Sequence, residues 1–594
     1  MRVPTFLGRV GSVAGSTIGV RLAESVASGI SIIAGRSYRV GQVGSFVRVP
    51  QGYHDLYGVI SEVGAQATPD TLIDEQSRGE NWMTVQLVGE IVETSFERGI
   101  SQYPGINDEV HIVTEDDLEK IYGIEGLGQI TIGRLAGAES IPVKVDLDKI
   151  VTRHSAVLGS TGSGKSTTIT SLLRSICNTE ISPKCERARI LLLDIHGEYS
   201  DALRPIASVF KINPGESDNP LFVPYWALDT NYLIDFLMGP LTDSAVAGIL
   251  DKILAAKASI AHGVSGVNIE SLTVTAPLPF SLKKLWFDLM DPEYKTWGDK
   301  ERTMPALEAA GDASTLKPNR YSPPGAGATL PHINQTGVLN IRRQLTHMRS
   351  RLLDRQYDFM LRPGDWEPDL DGKTKKDLSH LMESWFGHDK PITILDLSGV
   401  PSQVLLRLIG GILNITYEVM FWGRLLPEGG RARPILIVME EAHRYLGKGS
   451  DNPALHMVQR IVKEGRKFGV GAMIVSQRPS EIDETILSQC GTLFALRLSN
   501  SSDQSKVKSM LPDALSGLVD ALPILRTGEA IIMGEAARLP IRCRINFPPL
   551  GERPNSEDPN VAEAWTSSRT TEDYQRLVAV WRAQESNWKP IKES

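Results

Sequence analysis

The clearest chemistry in the chain sits in eight consecutive residues, Gly159-Ser160-Thr161-Gly162-Ser163-Gly164-Lys165-Ser166. Glycines at this spacing let successive backbone N–H groups curl around a phosphate, and a helix N-terminus just beyond adds a favourable dipole. In such a P-loop Lys165 reaches the β- and γ-phosphates and the Ser166 hydroxyl coordinates Mg²⁺. An apolar strand runs into Gly159, and a helix-forming run from Thr167 to Cys177 follows Lys165. Nucleotide contacts are therefore expected from Gly159 through Thr167, with ATP and Mg²⁺ as the ligands.

A second element, Ile435-Leu436-Ile437-Val438-Met439, ends in Glu440-Glu441-Ala442-His443. Two acids at the tip of an apolar strand suit the far side of an ATP site. Glu440 holds Mg²⁺ through water, and Glu441 polarises the attacking water as general base. The usual first acid is aspartate, and Glu440 reaches further. The plain alternative is a charged helix start after a buried strand, where acids are favoured anyway. In Met473-Ile474-Val475-Ser476-Gln477, Gln477 stands where a strand tip can sense the γ-phosphate. In Glu464-Gly465-Arg466-Lys467-Phe468-Gly469, Arg466 is the candidate arginine finger for an adjacent subunit's site, with Lys467 next; a hydrated surface turn is the alternative. Asp194 and Glu198, in Asp194-Ile195-His196-Gly197-Glu198-Tyr199, can touch the metal's water shell or a ring interface. His196 and His443 read as capping or core residues rather than metal ligands.

These groups need a scaffold. Five apolar runs read as strands: Ser155 to Leu158, Ile190 to Leu193, Thr393 to Leu395, Ile435 to Met439 and Ala472 to Val475; Leu493 to Leu498 and Glu529 to Met533 extend the sheet. Helical segments alternate with them, the pattern of a mostly parallel α/β sheet. Residues 141–225 and 391–550 thus form the two parts of an ATPase core, and 226–390 a helical insertion. Within the insertion, Asn231 to Leu254 and Asn340 to Met360 carry helical periodicity. The Pro- and Gly-containing stretch Glu301 to Thr336 reads as a mobile loop. Arg342, Arg343, Arg349, Arg351 and Arg355 alternate with Leu345, Met348 and Leu352, which fits either a nucleic-acid-facing helix or an amphipathic packing helix. Residues 1–140 show short β-branched runs separated by Gly, Pro and Asn, so a small barrel or sandwich is expected there. Residues 551–594 read as a polar linker and a helical tail, with Tyr574, Leu577, Val578 and Trp581 on one face.

The bulk numbers agree with a multi-domain globular chain. At 594 residues it is too long for one core, and its 41% hydrophobic and 23% charged content is ordinary. A net charge of −8 advertises no global basic field, although a basic channel inside an acidic ring remains compatible with it. The four cysteines form no Cys-x-x-Cys pair, which argues against zinc and for a reducing cytoplasm. The N-terminus does not read as a signal peptide. Leu405 to Leu426, interrupted by Arg407, Asn414, Glu418 and Arg424, reads as a buried helix and not a membrane span.

Taken in order, Arg153-His154-Ser155-Ala156-Val157-Leu158 running into the P-loop, the Asp194 to Tyr199 segment, Glu440-Glu441-Ala442-His443-Arg444-Tyr445, the Arg466 turn and Ser476-Gln477-Arg478-Pro479 resemble the HerA family. That family lies within the HerA–FtsK group of hexameric ATPases. The resemblance implies a RecA-like P-loop core with a helical insertion, preceded by a small N-terminal β-barrel. It implies a homohexameric ring that moves double-stranded DNA through its central channel with ATP. The site of one subunit, with Lys165, Glu441 and Gln477 as catalytic residues, would be completed by Arg466 of the next. It also implies a partner docking at the barrel: a nuclease, or an effector such as a sirtuin-type NADase in antiphage defence. The length and the Glu440-Glu441 pair look more like the bacterial defence type. A scaffold whose ATP-closed ring activates a bound effector shares every one of these motifs. A pump for other polymers would fit the wider group, but expects a membrane segment.

Overall fold

Alternation of apolar and polar residues builds the first part of the chain. Six strands, Phe6–Ala14, Thr17–Leu22, Phe46–Pro50, His54–Gly64, Trp82–Val92 and Glu109–Ile112, pair antiparallel. Their order runs Thr17–Leu22, Phe6–Ala14, Glu109–Ile112, Phe46–Pro50, His54–Gly64, Trp82–Val92. The last strand then pairs back onto the first, with Ile18 opposite Val85 and Val20 opposite Met83. The sheet is therefore a closed barrel and not a sandwich. Ile18, Val20, Val47, Val49, Met83 and Val85 point into its interior with no exposed surface. Truncating Met83 there would cost roughly 2–5 kcal/mol. A Cβ at Gly11 would lie 2.7 Å from the Trp82 ring, so glycine there leaves room for the buried indole.

The computed structural model describes residues 5–23, 30–33, 36–39, 43–64, 81–93, 95–122, 128–177, 185, 187–326, 329–447, 452–510, 516–555, 560–566 and 574–583. The chain divides into two units. The first contains Met1–Ala207, Met420–Ser450 and Val458–Glu557, and the second Ser208–Val419, Asp451–Met457 and Asp558–Ser594.

In the first unit, five parallel strands lie in the order Thr492–Ala495, Ser155–Leu158, Val470–Ser476, Ile435–Met439, Ile190–Asp194. Every residue of these strands is buried, the mark of a parallel sheet covered on both faces. Antiparallel strands Glu529–Gly534, Ile541–Ile545, Gln129–Leu135 and Ala138–Asp146 extend the sheet beyond Thr492–Ala495. The register sets Leu158 beside Ser476 and Leu193 beside Met439. Gly159, Gln477, Glu440 and Asp194 therefore emerge along one edge, the carboxyl ends of the strands, where ligands of open α/β sheets bind. The barrel is tied to this unit by Arg98, whose guanidinium donates to the carbonyl of Arg538 at 2.9 Å and to those of Gly534 and Ala537.

The second unit is mostly helical, with fully buried Trp226, Trp286 and Trp385. The segment expected as one helix from Asn231 is two, Thr230–Met238 and Asp243–Ala261, bent by 118°. Gly239 turns the chain at φ 75°, and Asp229 and Thr242 cap the two N-termini. Glu301 to Thr336 is not the structureless loop its composition suggests. Leu307–Ala309 pairs with Arg320–Tyr321 and Thr296–Trp297 with His332–Ile333, while Asp291 accepts from Asn319 at 2.7 Å and Tyr321 at 2.5 Å. Helix Arg342–Leu353 buries Leu345, Met348 and Leu352, and Trp286 Nε1 donates to the Leu345 carbonyl at 2.9 Å. Its arginines are engaged within the unit as well: Arg349 donates to Leu316 O, and Arg351 lies 4.3 Å from the Phe236 ring centre. The buried face is that of a packing helix, while Arg342 and Arg343 stay exposed on the other side. Among the described residues one helix, Ser402–Trp422, is long and apolar enough to cross a membrane, and 67% of its most apolar window is buried. In the tail helix Tyr574–Ala583, Tyr574, Leu577 and Trp581 are exposed.

Candidate functional site

Ser155–Leu158 delivers the chain to Gly159, whose N–H donates to Ser476 O at 3.1 Å. A Cβ on Gly159 would fall 2.6 Å from Ser163 Oγ and 2.8 Å from Leu496 Cβ. Gly162 and Gly164 hold φ of 72° and 89°, conformations that cost a side-chain-bearing residue free energy. The loop then enters helix Lys165–Cys177. Its outer side is braced by two further segments. Arg497 donates to Gly162 O at 2.9 Å, Ser160 N donates to Arg497 O at 2.9 Å, and Thr527 Oγ1 donates to Gly162 O at 3.3 Å. Sequence reading missed Arg497 and Thr527. Their partner is a backbone carbonyl, and the only available clue was their position just beyond strands of the same sheet.

The two acids meet the lysine. Lys165 Nζ forms an ion pair with Glu441 Oε1 and lies 4.0 Å from Glu440 Oε1, all three side chains being buried. Burial pushes the Glu440 carboxyl up to about 9, with the Lys165 ammonium opposing and Glu441 reinforcing the shift. Glu440 Oε2 and Glu441 Oε2 are buried without hydrogen-bond partners. Glu441 also sits in the left-handed region at φ 47°, ψ 42°, a conformation that costs a non-glycine residue about 1–2 kcal/mol. Strain of this kind is retained where the side chain must point in one direction. His443 Nδ1 is within hydrogen-bond reach of Ser476 Oγ at 3.3 Å and stands 3.2 Å from Glu441 Oε2 without bonding it.

Gln477 and Thr161 also meet: Thr161 Oγ1 donates to Gln477 Oε1 at 2.6 Å. Asp194 and Glu198 part company. Asp194, wholly buried, accepts from the N–H groups of Gly197 at 2.8 Å, Glu198 at 3.2 Å and Tyr199 at 3.0 Å, so it organises the turn. Glu198 receives the Ser166 hydroxyl at 2.7 Å. The Ile190–Asp194 strand is not next to the P-loop strand, since Val470–Ser476 and Ile435–Met439 intervene, and only the turn after it returns to the loop. His196 is exposed.

Arg466 is the one candidate that does not join the others. It lies, exposed, in the Gly465–Phe468 turn before strand Val470–Ser476. Seven strand residues at about 3.3 Å each leave it roughly 20 Å from its own P-loop. Behind it His154, buried at φ 54°, accepts at Nδ1 from Ala472 N at 3.1 Å; burial lowers its pKa to about 4, and Arg466 adds to that shift. The assembled groups can grip phosphate oxygens, hold a hard cation and orient water beside a carboxylate. On its own the chain offers no arginine to the far side of the phosphate from the Gly465–Phe468 turn.

The profile described as "Helicase HerA, central domain" matches residues 130–415, and "Helicase HerA-like C-terminal" matches residues 420–539. The DNA double-strand break repair helicase HerA of Pyrococcus furiosus is 27% identical over 530 residues, covering 83% of this chain and 84% of that one. The protein of the same name from Sulfolobus acidocaldarius is 25% identical, with 80% and 79% covered. Among solved structures, VirB4 of Thermoanaerobacter pseudethanolicus covers 72% of this chain and 98% of its own at 15% identity and a TM-score of 0.45. The plasmid coupling protein TrwB in complex with ADP and Mg²⁺ gives 73%, 92%, 15% and 0.41.

Proposed function

The chain belongs to the HerA helicase family and is an ATPase, and we propose that it is a motor that moves double-stranded DNA through the channel of a homohexameric ring. The observation that carries this reading is the buried Lys165–Glu441 pair beneath a complete P-loop. Phosphate oxygens compete with Glu441 for the ammonium. As Lys165 turns to them, the carboxylate is released to take a proton from water. ATP binding and the arming of the base are then one event.

Gln477, held by Thr161 at the loop, senses the terminal phosphate, and the P-loop N–H groups from Gly159 to Thr167 cradle the others. Mg²⁺ fits beside them. Ser166 Oγ, Glu198 Oε2 and the orphaned Glu440 Oε2 are oxygen donors of the kind it takes. When bound, it neutralises charge on the β- and γ-phosphate oxygens. Arg466 serves the site of a neighbouring copy, because it is too far from its own.

On this reading the protein works in the cytoplasm. Its barrel is the seat for a partner, a nuclease or an effector of the sirtuin-type NADase kind, in antiphage defence. The family resemblance and the Glu440-Glu441 pair support that finer assignment. A second reading, an ATP-gated scaffold that activates a bound effector, is favoured by Arg98, which fastens the barrel directly to the ATPase unit. Displacement of a triplex-forming strand from linear duplex DNA separates the two. The motor strips the third strand only with ATP and only with Lys165 intact. The scaffold leaves the triplex in place while still hydrolysing ATP.

A further inference from the structure

After its last sheet strand the chain comes back to the phosphate loop. Ile545 N donates to Gly528 O at 2.9 Å, and Gly528 N donates to Ser163 O at 3.0 Å. The end of strand Ile541–Ile545 therefore stands one residue out from the P-loop. A Cβ on Gly164 would fall 3.0 Å from Gly528 N, backbone against backbone. From there residues 546–555 cross helix Lys165–Cys177 as a strap. Glu552 pairs with Arg174 of that helix at 2.5 Å. Asn555 N donates to Glu198 O at 2.9 Å, and the Glu198 carboxylate receives the Ser166 hydroxyl. The strap thus starts beside Gly164 and finishes beside Ser166.

It is stiff where it leaves the sheet. Pro548 and Pro549 fix their own φ and bring no N–H to satisfy. Glu552 N closes the turn behind them on Pro549 O at 3.1 Å. What the strap carries at this point is Phe547, whose side chain is 64% exposed. The Arg553 guanidinium lies 4.3 Å from the ring centre, and Arg553 Nε donates to Pro548 O at 3.3 Å, which holds the cation in place. A ring fixed against a guanidinium offers a flat surface of the kind on which nucleobases stack.

Where the phosphates lie decides what that ring meets. The loop N–H groups and Lys165 take the β- and γ-phosphates, with Glu440 and Glu441 buried beyond them. The α-phosphate falls at the start of the helix, at Ser166 and Thr167, and the ribose and base continue outward, away from the buried acids. Gly164 and Ser166 are the two points to which the strap is tied. Tyr199, next to Glu198 in the chain, is wholly buried and offers no face to a ligand. We infer that Phe547, backed by Arg553, is the platform on which the purine base of the bound nucleoside triphosphate stacks. The inference rests on the reading of the P-loop as the nucleotide site. A platform of this kind reads the base by area of overlap, so purines are held over pyrimidines and adenine is not told from guanine.

Inorganic tripolyphosphate, which has the phosphates of ATP and neither ribose nor base, separates this role from bracing of the loop. Calorimetric titrations of the full-length chain, with Mg²⁺ present, compare ATP and tripolyphosphate for the parent and for Phe547→Ala. The inference expects Phe547→Ala to bind ATP about tenfold more weakly and to bind tripolyphosphate as the parent does. KM for ATP should rise by the same factor with kcat little changed, and Phe547→Trp should restore ATP binding. Equal weakening of both ligands would make the strap a brace of the P-loop and overturn the inference, as would an unchanged affinity for ATP. A parent chain that binds neither ligand would instead remove the nucleotide reading, and the platform with it. Should Phe547→Ala melt below the parent, 8-azido-ATP on the parent chain decides. Irradiation should label residues 546–555 in a yield that excess ATP abolishes; label found only elsewhere, or none that ATP competes away, would overturn the inference.

Discussion

The two edges of the parallel sheet are built on opposite principles. At the carboxyl edge Lys165, Glu440 and Glu441 are buried, and a strained backbone aims Glu441. At the amino edge Arg466 and Lys467 are exposed, beside Trp422, Leu425 and Leu426. Charges taken out of water are kept only when they are paired or used. Outward apolar groups and an exposed arginine carry the opposite message, a surface that is finished by another molecule. A strand seven residues long thus separates the part of the reaction one chain supplies from the part it receives.

Substitutions on either side should break that comparison to different depths. Arg466→Ala is expected to have the largest effect that spares the chain's own site, on the order of a thousandfold in turnover. Its binding of a fluorescent ATP analogue should be unchanged, read by titration. Glu441→Gln should lower phosphate release by roughly 10²–10⁴-fold, and by removing the partner of Lys165 it should hold nucleotide at least as tightly as the parent chain. Equal losses of binding and turnover in both variants would erase the distinction between the edges.

His154 sharpens the comparison from beneath. Its pKa is lowered by burial to about 4 against an ordinary 6.5, so the folded chain favours the neutral ring. That contribution, on the order of 3 kcal/mol, is fully present above pH 6.5 and is lost as pH falls towards 4. Melting curves between pH 7 and pH 4 should fall more steeply for the parent than for His154→Asn, which cannot titrate. The smallest effect belongs to Thr161→Val. It removes the 2.6 Å hydrogen bond to Gln477 and should raise KM a few-fold with little change in the melting temperature.

Where the sequence was legible, the signal was local. The strands Ser155–Leu158, Ile190–Asp194 and Ile435–Met439 are uninterrupted apolar runs, and the P-loop glycines announce their own backbone. Closure of the barrel was not legible, because it depends on Thr17–Leu22 finding Trp82–Val92 across more than sixty residues. The break at Gly239 was written in the chain but hidden by apolar periodicity on both sides of it. Proline and glycine in Glu301 to Thr336 spoke for looseness, and the aspartate that ties the segment down, Asp291, acts through space. Asp194 and Glu198 looked equivalent on the page. Three backbone donors make the first a turn organiser, and the second alone reaches Ser166. Arg497 left no trace because its partner is a carbonyl.

The most direct measurement of the central claim is steady-state ATP hydrolysis by the purified chain, with and without linear double-stranded DNA, across a range of salt. A DNA motor should turn over several-fold faster with duplex than without it, lose that stimulation as salt rises through counterion release, and lose all turnover with Lys165→Ala. Lys165-dependent hydrolysis that ignores duplex DNA at every salt concentration, in rings that have assembled, would contradict the account and leave the scaffold in its place.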